Sequence, residues 1–217
     1  SSDLEIHRRA FSWRQKSAST YVKILSEVLL QRTRAEAVSS FLPAFIRRFP
    51  SWKELALASE NDLQQCLQPL GLWRRRAASV VKLAGEMAKR GGRFPATRAE
   101  IDELPNVGQY IANAIELFCK SKPVPLLDVN MSRVLERFFG PRKLADIRYD
   151  PYLQQLAHAV VTCPEPVLIN WAILDHAAMV CKISDPRCDL CPLVSRCKSV
   201  GAFISKAPKD TLASKPK

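Results

Sequence analysis

Four of the seven cysteines stand together near one end of the 217-residue chain, as Cys181-x6-Cys188-x2-Cys191-x5-Cys197. Thiolates this close can enclose one metal centre, and Pro186 and Pro192 shape the tight loops between them. Spacing alone admits either Zn(Cys)4 or a [4Fe–4S] cluster, and zinc is the commoner occupant of four cysteines. An odd cysteine total is poor disulfide arithmetic and good metal arithmetic, which points to a reducing compartment. Cys66, Cys119 and Cys163 fall on apolar helical faces and read as buried fillers.

A second constellation is Leu104-Pro105-Asn106-Val107-Gly108-Gln109-Tyr110, followed by Asp128 in Leu126-Leu127-Asp128-Val129-Asn130. Residues 98–103 read as a short helix that Pro105 stops. Asn106 and Gly108 tolerate positive φ, and Ile111, Ala114, Ile115 and Phe118 repeat at helical spacing from about Gln109. A hairpin between two helices points backbone N–H groups outward, which suits a phosphate. Asp128 heads a further helix whose apolar stripe is Met131, Val134, Leu135 and Phe138. By pattern alone it is a cap.

The elements that must position these residues are helical throughout. Tyr21, Ile24, Leu25, Val28 and Leu29 form an amphipathic stripe behind a Ser19 or Thr20 cap, with Glu27 at its edge, where a glutamate is ordinarily a solvated flank residue. Helices are expected near 34–48, 51–58 and 60–67. Another opens at Gly71-Leu72-Trp73-Arg74-Arg75-Arg76-Ala77 and runs to about Lys89, and three more are expected at 128–139, 151–163 and 167–180. Three arginines at a helix start oppose the macrodipole, a cost that makes sense beside phosphates. Residues 1–18 read as one polar, basic helix ending near Trp13, and the tail from Lys206 as disordered. No stretch shows period-two alternation, so the fold class is all-α.

Lysines and arginines number 33 against 21 acids, a net charge of +12 with pI near 9.6. That balance favours a polyanion, nucleic acid first and an anionic membrane second. No apolar run approaches membrane-spanning length and no secretory leader precedes the first helix. The three histidines have no assigned role beyond a structural one for His176 beside Asp175.

Leu-Pro-x-Val-Gly-x-x-x-Ala followed by Asp128 in a Leu-Asp-x-Asn context resembles the helix-hairpin-helix motif and catalytic aspartate of the endonuclease III superfamily of DNA glycosylases. Asn106 stands where that family usually has glycine, and asparagine is the next best left-handed residue. The cysteine spacing is that of the family's iron–sulfur branch, so the resemblance selects [4Fe–4S] over zinc. The resemblance covers roughly Tyr21 to Cys197. It implies a two-lobed fold: a helical-barrel lobe over 20–125 carrying the hairpin, a second lobe from 1–19 plus 126–200 carrying the cluster loop, and a basic tail at 201–217.

The same resemblance implies the roles. Asp128 stabilises the cationic sugar. Glu27, in a Ser-Glu-x-x-Leu-x-x-Thr-like segment, lines the base pocket, and Gln31 and Arg32 after it enter the DNA. Trp73, Arg74 and Arg75 meet the strand around the lesion, Trp73 and Arg74 as candidate wedges. Asn106, Val107, Gly108 and Gln109 meet a phosphate. By charge rather than by the resemblance, Lys182, Arg187, Arg196 and Lys198 of the cluster loop are expected to grip the backbone. Bifunctional relatives have a lysine where this chain has Tyr110, and the adenine-excising branch has serine. Tyrosine there is similar to the thymine/uracil mismatch enzymes, which also end soon after the cluster, whereas the adenine branch continues into a further domain. The expectation is a monomeric, monofunctional glycosylase of the cytoplasm or nucleoid, acting on double-stranded DNA with thymine or uracil opposite guanine. The alternatives are an adenine glycosylase acting opposite G or 8-oxoguanine, and a non-catalytic iron–sulfur DNA-binding module.

Overall fold

The computed structural model describes residues 9–204. The first eight residues and the basic tail from Lys206 lie outside the described residues. All regular elements among those described are helical. The chain divides into two compact units, Arg9–Leu126 and one that begins at Leu127.

In the first unit the Ser19 hydroxyl accepts from the Val22 amide and starts α1 (Thr20–Leu30). The stripe read from the sequence is buried as a face: Ile24, Leu25 and Leu29 are fully enclosed, with Tyr21 and Val28 beside them. Each such side chain contributes roughly 1.5–3 kcal/mol by leaving water. After α2 (Ala35–Arg48), Ser51 and Ser59 cap the short helices α3 (Trp52–Leu57) and α4 (Glu60–Leu67), and α5 (Trp73–Lys89) packs along both. α6 (Arg98–Asp102) and α7 (Gln109–Lys120) form the hairpin pair, and α7 lies against α1. That contact brings positions 27 and 110 together.

Among the described residues before α1, the helix expected there is absent. In its place is a single 3-10 turn, Ser12–Arg14, with Phe11 stacked on Trp13 at 4.5 Å. Both rings are buried, and residues 9–19 cluster with the first unit rather than with the lobe that follows. Two aromatic anchors two residues apart cannot share one helical face, so the chain turns instead to bury both.

The second unit contains α8 (Val129–Phe139), α9 (Pro151–Val161), α10 (Pro166–Met179) and the short α11 (Val200–Ile204). Met131, Val134 and Leu135 of α8 form its core with Leu153, Ala157, Ile173 and Ala177. Proline at the first position of α9 and α10 is preorganised for a helix start. Asp150, fully buried, accepts from the Leu153 amide and from the amides of Lys143 and Leu144, each at 2.7 Å, which pins the loop after α8. No single helix among the described residues is long and apolar enough to cross a membrane.

Candidate functional site

The hairpin is built from local rules. α6 begins with a capping box, in which Thr97 accepts from the Glu100 amide and Glu100 accepts from the Thr97 amide at 3.0 Å. After Asp102 two turns follow, Leu104 N–H to Ile101 O and Val107 N–H to Leu104 O. Asn106 takes the left-handed conformation at φ 61°. Gly108 does not: its φ of −88° and ψ of 177° are ordinary extended backbone, and it serves as the N-cap of α7 with no side-chain cap. A Cβ placed on Gly108 would meet nothing within 4 Å. The fold therefore does not require glycine here, and its absent side chain leaves the helix start open to a ligand.

The hairpin forms one wall of a groove of about 600 Å³. Six of the residues expected to meet DNA line it together: Gln31, Arg32, Arg75, Asn106, Val107 and Gly108. Trp73, Arg74 and Gln109 are not among its lining residues, and the Arg74 guanidinium lies over the Trp73 ring at 4.3 Å. The sequence reading missed Leu72, which lines the groove, is 54% exposed and sits at φ 49°. Leu72, Arg32 at φ 57° and Asn106 at φ 61° are all left-handed non-glycine residues, and all three border this groove. Left-handed residues gathered at one place mark a shaped surface. The signal available in the sequence was a leucine between Gly71 and a helix start, where no apolar stripe needs it.

Arg76 corrects the view of three phosphate-facing arginines. It is 7% exposed, and its guanidinium reaches the carbonyls of Val28, Leu29 and Gln31 and the Thr33 hydroxyl. Its position in the first turn of α5 is unfavourable for that helix's dipole. The charge, however, lies at the C-terminal carbonyls of α1, where the sign is reversed.

Glu27 is 3% exposed, not a solvated flank residue. The Tyr110 hydroxyl donates to its Oε2 at 2.9 Å across the α1–α7 contact. A buried carboxyl held by a phenol is a group whose proton can be handled away from bulk water.

Asp128 belongs to the second unit and is the N-cap of α8. Its Oδ1 accepts from the amides of Asn130 at 2.9 Å and Met131 at 2.8 Å, and its Oδ2 accepts from the Asn130 side-chain amide at 2.6 Å. The Asn130 Oδ1 in turn accepts from Arg133 at 3.2 Å, and Arg133 donates to the Ala177 and Cys181 carbonyls. Three donors fix the carboxylate's orientation, and the chain of hydrogen bonds ends at the first clustered cysteine.

None of the four cysteines is in a disulfide. Burial pushes the Cys188 thiol up, and the fields of the neighbouring Cys191, Cys197 and Cys181 push it further. Arg137 braces their loop: its guanidinium donates to the carbonyls of Lys182 and Ile183 and to Cys181 Sγ at 3.5 Å, and its own carbonyl accepts from Cys197 Sγ. His176 Nε2 lies 3.7 Å from Cys191 Sγ. Among the described residues no three Cys, His, Asp or Glu groups close to single-ion geometry. A set of four thiols suits a soft metal centre, whether zinc or an iron–sulfur cluster.

A hairpin between two helices, a groove at its tip and a carboxylate on a following helix cap define a helix-hairpin-helix DNA-repair fold. The chain belongs to the HhH-GPD superfamily of base excision DNA repair proteins, whose pattern matches residues 25–149. It is 36% identical over 196 residues to a thymine/uracil-DNA glycosylase of Pyrobaculum aerophilum, covering 88% of this chain and 84% of that protein. It is 31% identical to an adenine DNA glycosylase of Buchnera aphidicola, covering 88% of this chain and 54% of that longer protein. Among solved structures, a thermostable thymine-DNA glycosylase superposes with a TM-score of 0.83 at 26% identity over 92% of both chains. A non-covalent endonuclease III–DNA complex matches in fold, with a TM-score of 0.71 at 22% identity over 84% of this chain and 85% of that one.

Proposed function

We propose that this protein is a monofunctional DNA glycosylase that removes thymine or uracil opposite guanine and leaves the strand intact. The observation that carries the proposal is the Tyr110–Glu27 hydrogen bond: a buried carboxyl partnered by a side chain that has no amine. A lysine at position 110 would supply a Schiff-base nucleophile, and a phenol does not. In this reading the duplex backbone lies along the hairpin and the groove residues Gln31, Arg32 and Arg75, and the target nucleotide leaves the stack. Leu72, apolar and exposed, takes the place vacated by the base, with Arg74 and Trp73 supporting the same turn.

Excision then requires breaking the N-glycosidic bond. The base departs with the bonding electron pair and takes up a proton, water adds at C1′ and releases a proton to solvent, and positive charge develops on the sugar between the two events. Asp128, held by the amides of Asn130 and Met131, stabilises that charge and orients the water. Glu27 handles the proton on the side of the base, and Tyr110 holds Glu27. Cys181, Cys188, Cys191 and Cys197 would hold a [4Fe–4S] cluster, which when bound staples its loop and contributes no step to base release. Lys182, Arg187, Arg196 and Lys198 on that loop add phosphate contacts. The protein acts as a monomer in a reducing compartment.

The test is a panel of single-lesion duplexes, incubated with protein and resolved with and without alkali. Release of T and U opposite G, seen as strand cleavage only after alkali, is the expected result. The likeness to adenine glycosylases supports a second reading, excision of A opposite G or 8-oxoguanine, and adenine release without thymine release would select it. No abasic sites on any duplex would leave a non-catalytic DNA-binding module.

A further inference from the structure

We infer that Arg76 is the positioning residue of the groove: one buried guanidinium holds two separate left-handed turns in the geometry that presents Gln31, Arg32 and Leu72. The inference rests on reading the groove as the DNA interface, but its structural half can be tested without DNA.

Arginine has five N–H donors, and here each has an acceptor. Nη1 donates to the Val28 carbonyl at 3.3 Å and the Leu29 carbonyl at 2.9 Å. Nη2 donates to the Gln31 carbonyl at 3.1 Å and the Thr33 hydroxyl at 2.7 Å. Nε donates to the Gly71 carbonyl at 3.5 Å. The acceptors come from two stretches far apart in sequence, the end of α1 with its following turn and the turn before α5. Each stretch contains a non-glycine residue on the left-handed side, Arg32 at φ 57° and Leu72 at φ 49°. The Thr33 hydroxyl spans the same two stretches, lying 3.5 Å from the Leu70 carbonyl.

Left-handed non-glycine backbone is unfavourable and persists only where the surroundings impose it. At both turns the imposing group is the same side chain. An exposed leucine and an exposed arginine have no packing of their own to hold a turn, since Leu72 and Arg32 both face the groove. Lysine at position 76 would offer a point charge with three donors and no planar fork, so it would engage one stretch and slacken the other. Arg76 thus works through Gln31, Arg32 and Leu72, with its own charge spent on carbonyls rather than on phosphate.

The experiment uses the full chain with Arg76→Met, which keeps the volume, and Arg76→Lys, which keeps the charge. Amide hydrogen exchange is read first, in the absence of DNA. Arg76→Met is expected to speed exchange about tenfold or more across residues 31–33 and 70–72, while residues 103–120 keep their protection, as local opening requires. Arg76→Lys gives a smaller change in the same segments, and it serves alone should Arg76→Met fail to fold. Binding to a G·T duplex is read second, with Leu72→Ala in each background. Coupled residues are not additive, so Leu72→Ala is expected to weaken binding several-fold in the parent and by much less after Arg76→Met. Exchange that quickens evenly over the whole unit, or a Leu72→Ala effect of equal size in both backgrounds, would make Arg76 an ordinary core residue and overturn the inference. Absence of DNA binding by the parent protein would instead overturn the function proposed for the groove, and the exchange pattern would still decide the role of Arg76.

Discussion

The Tyr110 hydroxyl donates to the Glu27 carboxyl at 2.9 Å, joining residues that stand on α1 and α7, on either side of most of the first unit. The bond orients the acid and occupies the phenol, and in the proposed function position 110 decides between base release alone and strand cleavage. Tyr110→Phe is expected to bind DNA as the parent does while excising about tenfold more slowly, the scale of a lost hydrogen bond to a charged group. Tyr110→Lys supplies an amine, so alkali-independent nicking and borohydride-trapped complexes should appear in that variant alone. Nicking by the parent protein would refute the monofunctional assignment.

Asp128→Asn separates capping from catalysis. Asparagine caps helices as well as aspartate does, so the melting temperature should stay within a few degrees of the parent. Excision should fall by at least ~100-fold, the loss typical of a preorganised charge at the transition state. Undiminished turnover would reduce Asp128 to a cap.

Iron and colour test the cysteine cluster. Protein purified without chelators or reconstitution should be yellow-brown, absorb broadly near ~400 nm and carry about four irons per chain. Cys188→Ser should lower iron content and loosen the loop that Arg137 braces. Stoichiometric zinc in the purified protein would overturn the assignment.

Salt dependence tests the groove. If about four to six phosphates are neutralised, log–log plots of affinity against salt should slope at roughly −4 to −5. Gly108→Ala should leave stability nearly unchanged, because a Cβ there meets nothing within 4 Å. The same methyl group obstructs a phosphate at the α7 start, so affinity should drop. A slope near zero would remove nucleic acid from the account.

A buried carboxylate held by two partly exposed cations gives a prediction in pH. Glu116, 5% exposed, accepts from Arg98 at 2.9 Å and Lys122 at 2.7 Å. Burial alone would raise its carboxyl, but hydrogen bonds from Lys122 and Arg98 outweigh it and hold the group below its ordinary value. A depressed folded-state value adds stability above the unfolded-state value, and that stability is lost as pH falls through the folded-state value. Glu116→Gln should therefore cost about 1–3 kcal/mol at pH 7. In paired urea titrations the difference between parent and variant should shrink as pH drops below the ordinary carboxylate range.

The sequence by itself determined the elements and the chemistry that each could carry. Apolar residues at helical spacing located α1, α5, α7 and α8 because amphipathic burial depends on local periodicity. Asn106 declared the hairpin because few residues accept its conformation. The cysteine spacing offered four ligands for a metal-binding group because the cysteines lie close together in the chain. Tertiary structure alone decided what distant residues do to one another. Whether Glu27 was a solvated flank or a buried acid depended on α7 lying against α1. Three adjacent arginines looked alike until folding turned Arg76 onto the carbonyls at the end of α1. Leu72 looked like an ordinary leucine until a left-handed turn exposed it beside Arg32 and Asn106. Periodicity reports which way a side chain faces from its own helix, but the partner it meets is set by contacts between residues far apart in the chain.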